Sequence, residues 1–118
     1  MRQVVCKKDE IAPGEMREST LGRASIVICR TADGEFSAFT NRCIHQGAPL
    51  VKGKLCGAPE PTDNVGEYKF SREGEILRCP WHGREFDTKN GGRSLANPKF
   101  KLKEYKVEIE EDNVVVYK

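Results

Sequence analysis

The chain has 118 residues, 20 of them Lys or Arg and 18 Asp or Glu, for a net charge of +2. The length fits one domain, and the near balance of charge argues against a dedicated nucleic-acid binder, which carries a marked basic excess. Ile, Leu, Val and Phe supply 26 residues, enough for a modest core at a size where roughly two-thirds of the surface is buried on folding.

Apolar runs are only a few residues long, as in Ile26-Val27-Ile28-Cys29, and charges are spread through the first thirty positions. Neither a membrane span nor a signal peptide is therefore expected, and the cytoplasm is the default location. Five cysteines is an odd number. In a reducing compartment they read as thiols or metal ligands rather than as a disulfide framework.

Helical periodicity is missing, and short alternating runs are separated by Gly, Pro, Asn and Asp. Val4-Val5-Cys6 begins a strand, and Ile11-Ala12-Pro13-Gly14-Glu15 makes a turn. Strands follow over 16–21 and 25–31. Ala32-Asp33-Gly34-Glu35 is a hairpin turn, since Asp-Gly supplies the positive φ angles that a tight turn needs. Glu35 to Thr40 returns as a strand. The segment 54–67, punctuated by Gly57, Pro59, Pro61 and Gly66, reads as an extended, ordered surface loop. Tyr68–Ser71 and Ile76–Arg78 read as a hairpin around Arg72-Glu73-Gly74-Glu75. Tyr105, Val107 and Ile109 alternate with Lys106, Glu108 and Glu110, the signature of a half-buried strand. After a turn at Glu111-Asp112-Asn113, Val114 to Tyr117 comes back. Many short strands with frequent turn signals indicate an all-β antiparallel barrel or sandwich.

Two short segments carry the chemistry. The chain has only two histidines, and each lies within three residues of a cysteine: Cys43-Ile44-His45 and Cys79-Pro80-Trp81-His82. Gly47 and Pro49 flank the first pair, and Pro80 and Gly83 the second. Glycine admits close approach of the backbone to a ligand, and proline fixes the turn. The four residues Cys43, His45, Cys79 and His82 are thus read as metal ligands. One tetrahedral zinc takes two Cys and two His, although zinc knuckles more often keep like ligands on the same turn. A [2Fe–2S] cluster with two thiolates on one iron and two imidazoles on the other suits two loops that each offer one of each.

Cys43-Ile44-His45-Gln46-Gly47-Ala48-Pro49-Leu50 followed by Cys79-Pro80-Trp81-His82-Gly83 resembles the Rieske iron–sulfur domain family. Glu85-Phe86-Asp87 and the turn at Asn90-Gly91-Gly92 continue the resemblance over nearly the whole chain. It implies one [2Fe–2S] cluster bound by Cys43, His45, Cys79 and His82. It also implies an antiparallel β domain over 1–118, with a small cluster-binding subdomain of loops at about 42–54 and 78–88. The gap between the two motifs is about twice that usual in Rieske ferredoxins, and the extra residues map to 54–67 and the hairpin after it. Rieske proteins of cytochrome bc complexes carry an added cysteine in each loop, and a Ser and a Tyr after the second. Here those positions hold Ala48, Trp81, Arg84 and Phe86, so the chain resembles the ferredoxin and oxygenase type.

Two ferric ions, two sulfides, two thiolates and two neutral imidazoles sum to zero charge, and reduction adds one negative charge. A four-cysteine cluster would be two units more negative, so the mixed set accepts an electron more easily. Without the two hydroxyl donors, the potential falls toward the low end of the Rieske range, about −150 mV. The resemblance implies a non-catalytic role, that of a one-electron carrier taking electrons from a reductase and passing them to an oxygenase or another oxidoreductase. A monomer is expected, with no nucleic-acid or membrane partner. Two other readings are a permanently bound small subunit of a larger oxidoreductase and a zinc-stabilised Cys2His2 binding module. No nucleotide-binding glycine fingerprint is present. Arg42, Lys52, Lys54, Arg78 and Arg84 lie near the two motifs and could form a basic rim, which Glu85 and Asp87 would dilute. Trp81 either shields the cluster or fills its loop. Cys6 and Cys29 sit in strand patterns as buried spectators, and Cys56 has no assigned role.

Overall fold

The computed structural model describes residues 2–42, 49–60, 69–80, 84–97 and 99–117. Among them the regular structure is β-strand with three short 3-10 turns. The strands are β1 (Arg2–Lys7), β2 (Met16–Leu21), β3 (Ala24–Arg30), β4 (Phe36–Thr40), β5 (Lys54–Glu60), β6 (Lys69–Arg78), β7 (Glu85–Asp87), β8 (Arg93–Ser94), β9 (Glu104–Glu110) and β10 (Asn113–Tyr117). They form a six-stranded sheet in the order β1-β10-β9-β4-β3-β2 and a four-stranded sheet in the order β5-β6-β7-β8, with antiparallel pairing throughout.

The larger sheet curls until its edges meet. Gln3 on β1 joins them, because its Nε2 donates to the Thr20 carbonyl at 2.9 Å and its Oε1 accepts from the Gly22 amide at 3.3 Å. Val5 has no partner in the β1–β10 register, which steps from Val4↔Val115 to Cys6↔Val114. Such a bulge increases local twist and helps a sheet to close. The result is the nearly closed antiparallel barrel expected from the alternating pattern.

Two clusters fill the interior, and the β3 run shows why. Ile26 and Ile28 point into the barrel with Leu21, Ala38, Tyr105, Val114 and Val116. Val27 and Cys29 point the other way, against Phe39, Leu50, Leu77, Cys79, Phe86 and Leu102. Both faces of β3 are covered, so its sequence is continuously apolar rather than alternating. The second cluster joins the two sheets and reaches Cys79. On β9 the alternation is weaker than the sequence suggests: Tyr105 is buried, whereas Ile109 is 43% exposed.

Two expectations are corrected. Lys54–Glu60 is a strand, β5, not the start of a surface loop, and residues 61–67 lie outside the described residues. Gly57 and Pro59 misled because β5 lies at the edge of its sheet, where a missing N–H need not break a ladder. Nor is there a hairpin within 68–78: Lys69–Arg78 is one strand, paired along β5. The pairing steps from Cys56↔Ile76 to Ala58↔Ser71. Residues 72–75 therefore face Gly57 alone, and the Glu73-Gly74 turn signal is absorbed as an irregularity in the ladder.

A polar clamp ties the two sheets together away from the cysteines. Lys89 Nζ bonds Asp33 Oδ2 at 2.5 Å and Glu35 Oε2 at 2.6 Å, joining the β3–β4 turn to the 3-10 turn after β7. The hydrogen bonds from Lys89 and then from Thr31 hold the Asp33 carboxyl down at about 2. A carboxylate whose folded value is depressed contributes stability above its unfolded value near 4, and that contribution is lost as pH falls through about 2. Asp33→Asn should therefore lower the melting temperature at neutral pH, where the charge contributes, and flatten the acid limb between about pH 4 and pH 2, so that variant and parent converge near pH 2. An unaltered acid limb in the variant would show that Lys89 does not hold Asp33 in solution.

Candidate iron–sulfur site

Each motif leaves a strand end that is fixed by hydrogen bonds. The first follows β4. The Asn41 amide donates to the Ser25 carbonyl at 2.9 Å, and Asn41 Nδ2 donates to Ser25 Oγ at 3.2 Å. Asn41 Oδ1 accepts from the Val51 amide at 2.9 Å. One buried side chain thus pins the start of the loop to the residue after Leu50, where the chain re-enters the core. A 3-10 turn over Leu50–Lys52 then delivers Gly53 and β5. The second motif follows β6. The Cys79 amide donates to the Arg84 carbonyl at 2.7 Å, closing the loop at its base. β7 starts at the next residue.

The two bases touch. A Cβ on Gly53 would overlap the Arg78 carbonyl oxygen and lie 3.2 Å from the Leu50 carbonyl oxygen. Glycine is therefore required here for close approach of two backbones, since its φ of −83° suits any residue. Lys54 pairs with Arg78 and Arg78 with Glu85, so the chain leaving the first motif and the chain entering and leaving the second are woven into one small sheet. A groove of about 370 Å³ lies at this junction, lined by Lys52, Gly53, Lys54, Arg78, Cys79 and Pro80.

Of the four expected ligands, Cys79 is described. Its side chain is 3% exposed, at the border of the core cluster and the groove. Cys43, His45 and His82 fall outside the described residues, as do Gly47, Gly83 and Trp81. Cys6 and Cys29 are buried, as expected of spectators. Burial pushes the Cys29 thiol up to about 12 and raises that of Cys6, so both stay protonated and unreactive at neutral pH. Cys56 lies half-buried on β5.

These features fit the iron–sulfur group. A buried sulfur donor at the base of one loop faces a junction where the second loop is held against it with no side chain between. Two thiols and two imidazoles, one of each per loop, are the donor set for a cluster with unlike irons. Asn41 and Gly53 matter to this arrangement, and the sequence reading missed both. The available signal was an Asn at the end of a strand two residues before Cys43, and a Gly just before β5.

Comparison with known proteins agrees with the geometry. The profile of the Rieske [2Fe–2S] domain matches residues 1–108. Apoptosis-inducing factor 3 of Mus musculus is 32% identical over 112 residues, which cover 95% of this chain and 16% of that protein. This chain thus spans about a sixth of that relative's length. Ferredoxin CarAc of Metapseudomonas resinovorans is 26% identical over 113 residues, covering 95% of this chain and 89% of that protein. A solved complex of reduced oxygenase and oxidised ferredoxin in carbazole 1,9a-dioxygenase contains a chain 26% identical to this one. That match has a TM-score of 0.72 and covers 98% of this chain and 91% of that one. The chain belongs to the Rieske [2Fe–2S] domain family and carries that family's single [2Fe–2S] cluster.

Proposed function

We propose that this chain is a one-electron carrier, not itself a catalyst, passing electrons from a reductase to an oxygenase or a related oxidoreductase. The observation that carries the reading is the union of two loop bases around buried Cys79, in a fold shared over 98% of the chain with a ferredoxin–oxygenase complex. In this reading Cys43, His45, Cys79 and His82 are the ligands, and the whole of 1–118 is one domain. The bound cluster supplies a centre that gains and loses a single electron.

The residues of the chain set the conditions for that exchange. Cys79 comes from the apolar core, which keeps water from the sulfur side of the site. Asn41 and the Cys79–Arg84 bond hold the loop ends, so little of the protein has to move when charge changes. Such a pre-ordered frame keeps the reorganisation small. Among the described residues no helix is long and apolar enough to cross a membrane. The carrier works as a monomer in a reducing compartment, the cytoplasm, consistent with the buried thiols of Cys6 and Cys29.

Reductive titration of the purified protein tests this reading. Dithionite should add one electron per chain, with visible bleaching that air reverses repeatedly. A colourless protein taking up no electron would overturn it.

A further inference from the structure

We propose that Lys52, Lys54 and Arg78 form a docking face for a carboxylate-rich surface of the redox partner. The inference rests on the electron-carrier reading and adds the chemistry of the partner. All three side chains are exposed and line the same groove, against Cys79. Exposed Arg42 and Arg84 stand at the entrance of the first loop and the exit of the second.

Three observations set this face apart from an ordinary solvated surface. First, Lys54 lies directly opposite Arg78 in the antiparallel β5–β6 ladder. Like charges in that position repel and disfavour the pairing; Glu85 opposite Arg78 on β7 offsets this for Arg78 but not for Lys54 on the edge strand. Second, among the described residues none of the five cations enters an ion pair. Cations elsewhere do, in Arg2–Glu110, Arg17–Glu10, Lys106–Glu108 and the Lys89 clamp. Third, the chain as a whole is only +2, so this positive face is not the by-product of a general basic excess. The opposing carboxylates are few. Glu85 pairs across from Arg78, and Glu15 lines the adjoining groove. Asp87 is buried, and its carboxylate accepts from the Lys89 amide.

A positive face beside an electron-transfer site raises the encounter rate with an acidic partner and orients it. The small net charge and the folded, concave site favour a protein over a polynucleotide.

The test uses the holoprotein and two redox proteins of opposite surface charge as probes: flavodoxin, with carboxylates around its flavin, and cytochrome c, with lysines around its haem. Affinities are measured by calorimetry across a salt series. Flavodoxin should bind at low salt and weaken steeply as salt rises, with cytochrome c binding at least tenfold more weakly. Lys54→Glu should weaken flavodoxin binding at least tenfold while raising the thermal midpoint, because it replaces a repulsion with an attraction across the ladder. A purely structural role for Lys54 would not move the two readouts in opposite directions. Arg78→Gln should weaken binding with the visible spectrum intact. Preference for cytochrome c, or flavodoxin affinity indifferent to Lys54→Glu, would overturn the proposal. So would tighter binding of a single-stranded oligonucleotide through the same residues. Lack of visible absorbance in the starting protein would instead sink the electron-carrier reading, and the binding series would still report on the face.

Discussion

Gly53→Ala is expected to strip most of the iron from the protein and to lower its melting temperature by roughly 10 °C. The reason is steric. The added methyl group would occupy the space of the Arg78 carbonyl oxygen and crowd the Leu50 carbonyl. Neither is the free end of a side chain, so the backbone itself must part. Replacing glycine by alanine at an ordinary φ normally stabilises by about 0.4–1 kcal/mol through the unfolded chain. Overpacking against rigid backbone costs about 3 kcal/mol and wins. The displacement falls between the exit of the first loop and the residue before Cys79, so cofactor retention should suffer more than secondary structure. Iron per chain and circular dichroism, measured on the same sample, check this. Full iron content in the variant would show that the two loop bases need not touch.

Cys79→Ala should remove the cluster altogether. The lost sulfur alone weakens packing by only about 1 kcal/mol, the scale of one buried methylene-sized group. Loss of a thiolate ligand is a different matter, because metal binding is coupled to folding and contributes many times that amount. The variant should be colourless and iron-free yet retain the barrel, whose core of Leu21, Ile26, Ile28, Ala38, Val114 and Val116 lies on the other face of β3. Cys56→Ala is the matched control and should keep its colour, since Cys56 sits on β5 away from both loop ends. A coloured, iron-replete Cys79→Ala protein would refute the ligand assignment.

The barrel was legible in the sequence because its strands are short, β-branched or alternating runs cut by clear turn signals, even where both faces are covered, as on β3. Tyr105 to Glu110 shows the alternation of a half-buried strand, and the turn at Glu111-Asp112-Asn113 marks where the chain reverses into Val114 to Tyr117. The hairpin turn at Asp33-Gly34 was legible for the same reason, and Gly34 takes a φ of 91°. The small sheet was not legible. Its longest pair, β5–β6, contains Gly57, Pro59 and Gly74, each a local signal for a turn, and tertiary pairing overrode them. Within the site, Cys79 was found because cysteine and histidine at short spacing are rare. Gly53 acts through a close approach of two backbones and Asn41 through its side-chain hydrogen bonds, each joining separate segments, and a single sequence does not display such proximity.

Two cysteines and two histidines holding one [2Fe–2S] cluster between these loops would leave a distinct magnetic signature. Pulsed EPR of the dithionite-reduced protein, grown once with ordinary histidine and once with nitrogen-15 histidine, tests it most directly. A rhombic signal with an average g below the free-electron value is expected, carrying couplings from two imidazole nitrogens that change with the isotope. Because His45 and His82 are the chain's only histidines, that result would place both on the cluster. An EPR-silent protein with one zinc per chain, or a reduced cluster with no histidine nitrogen coupling, would contradict it.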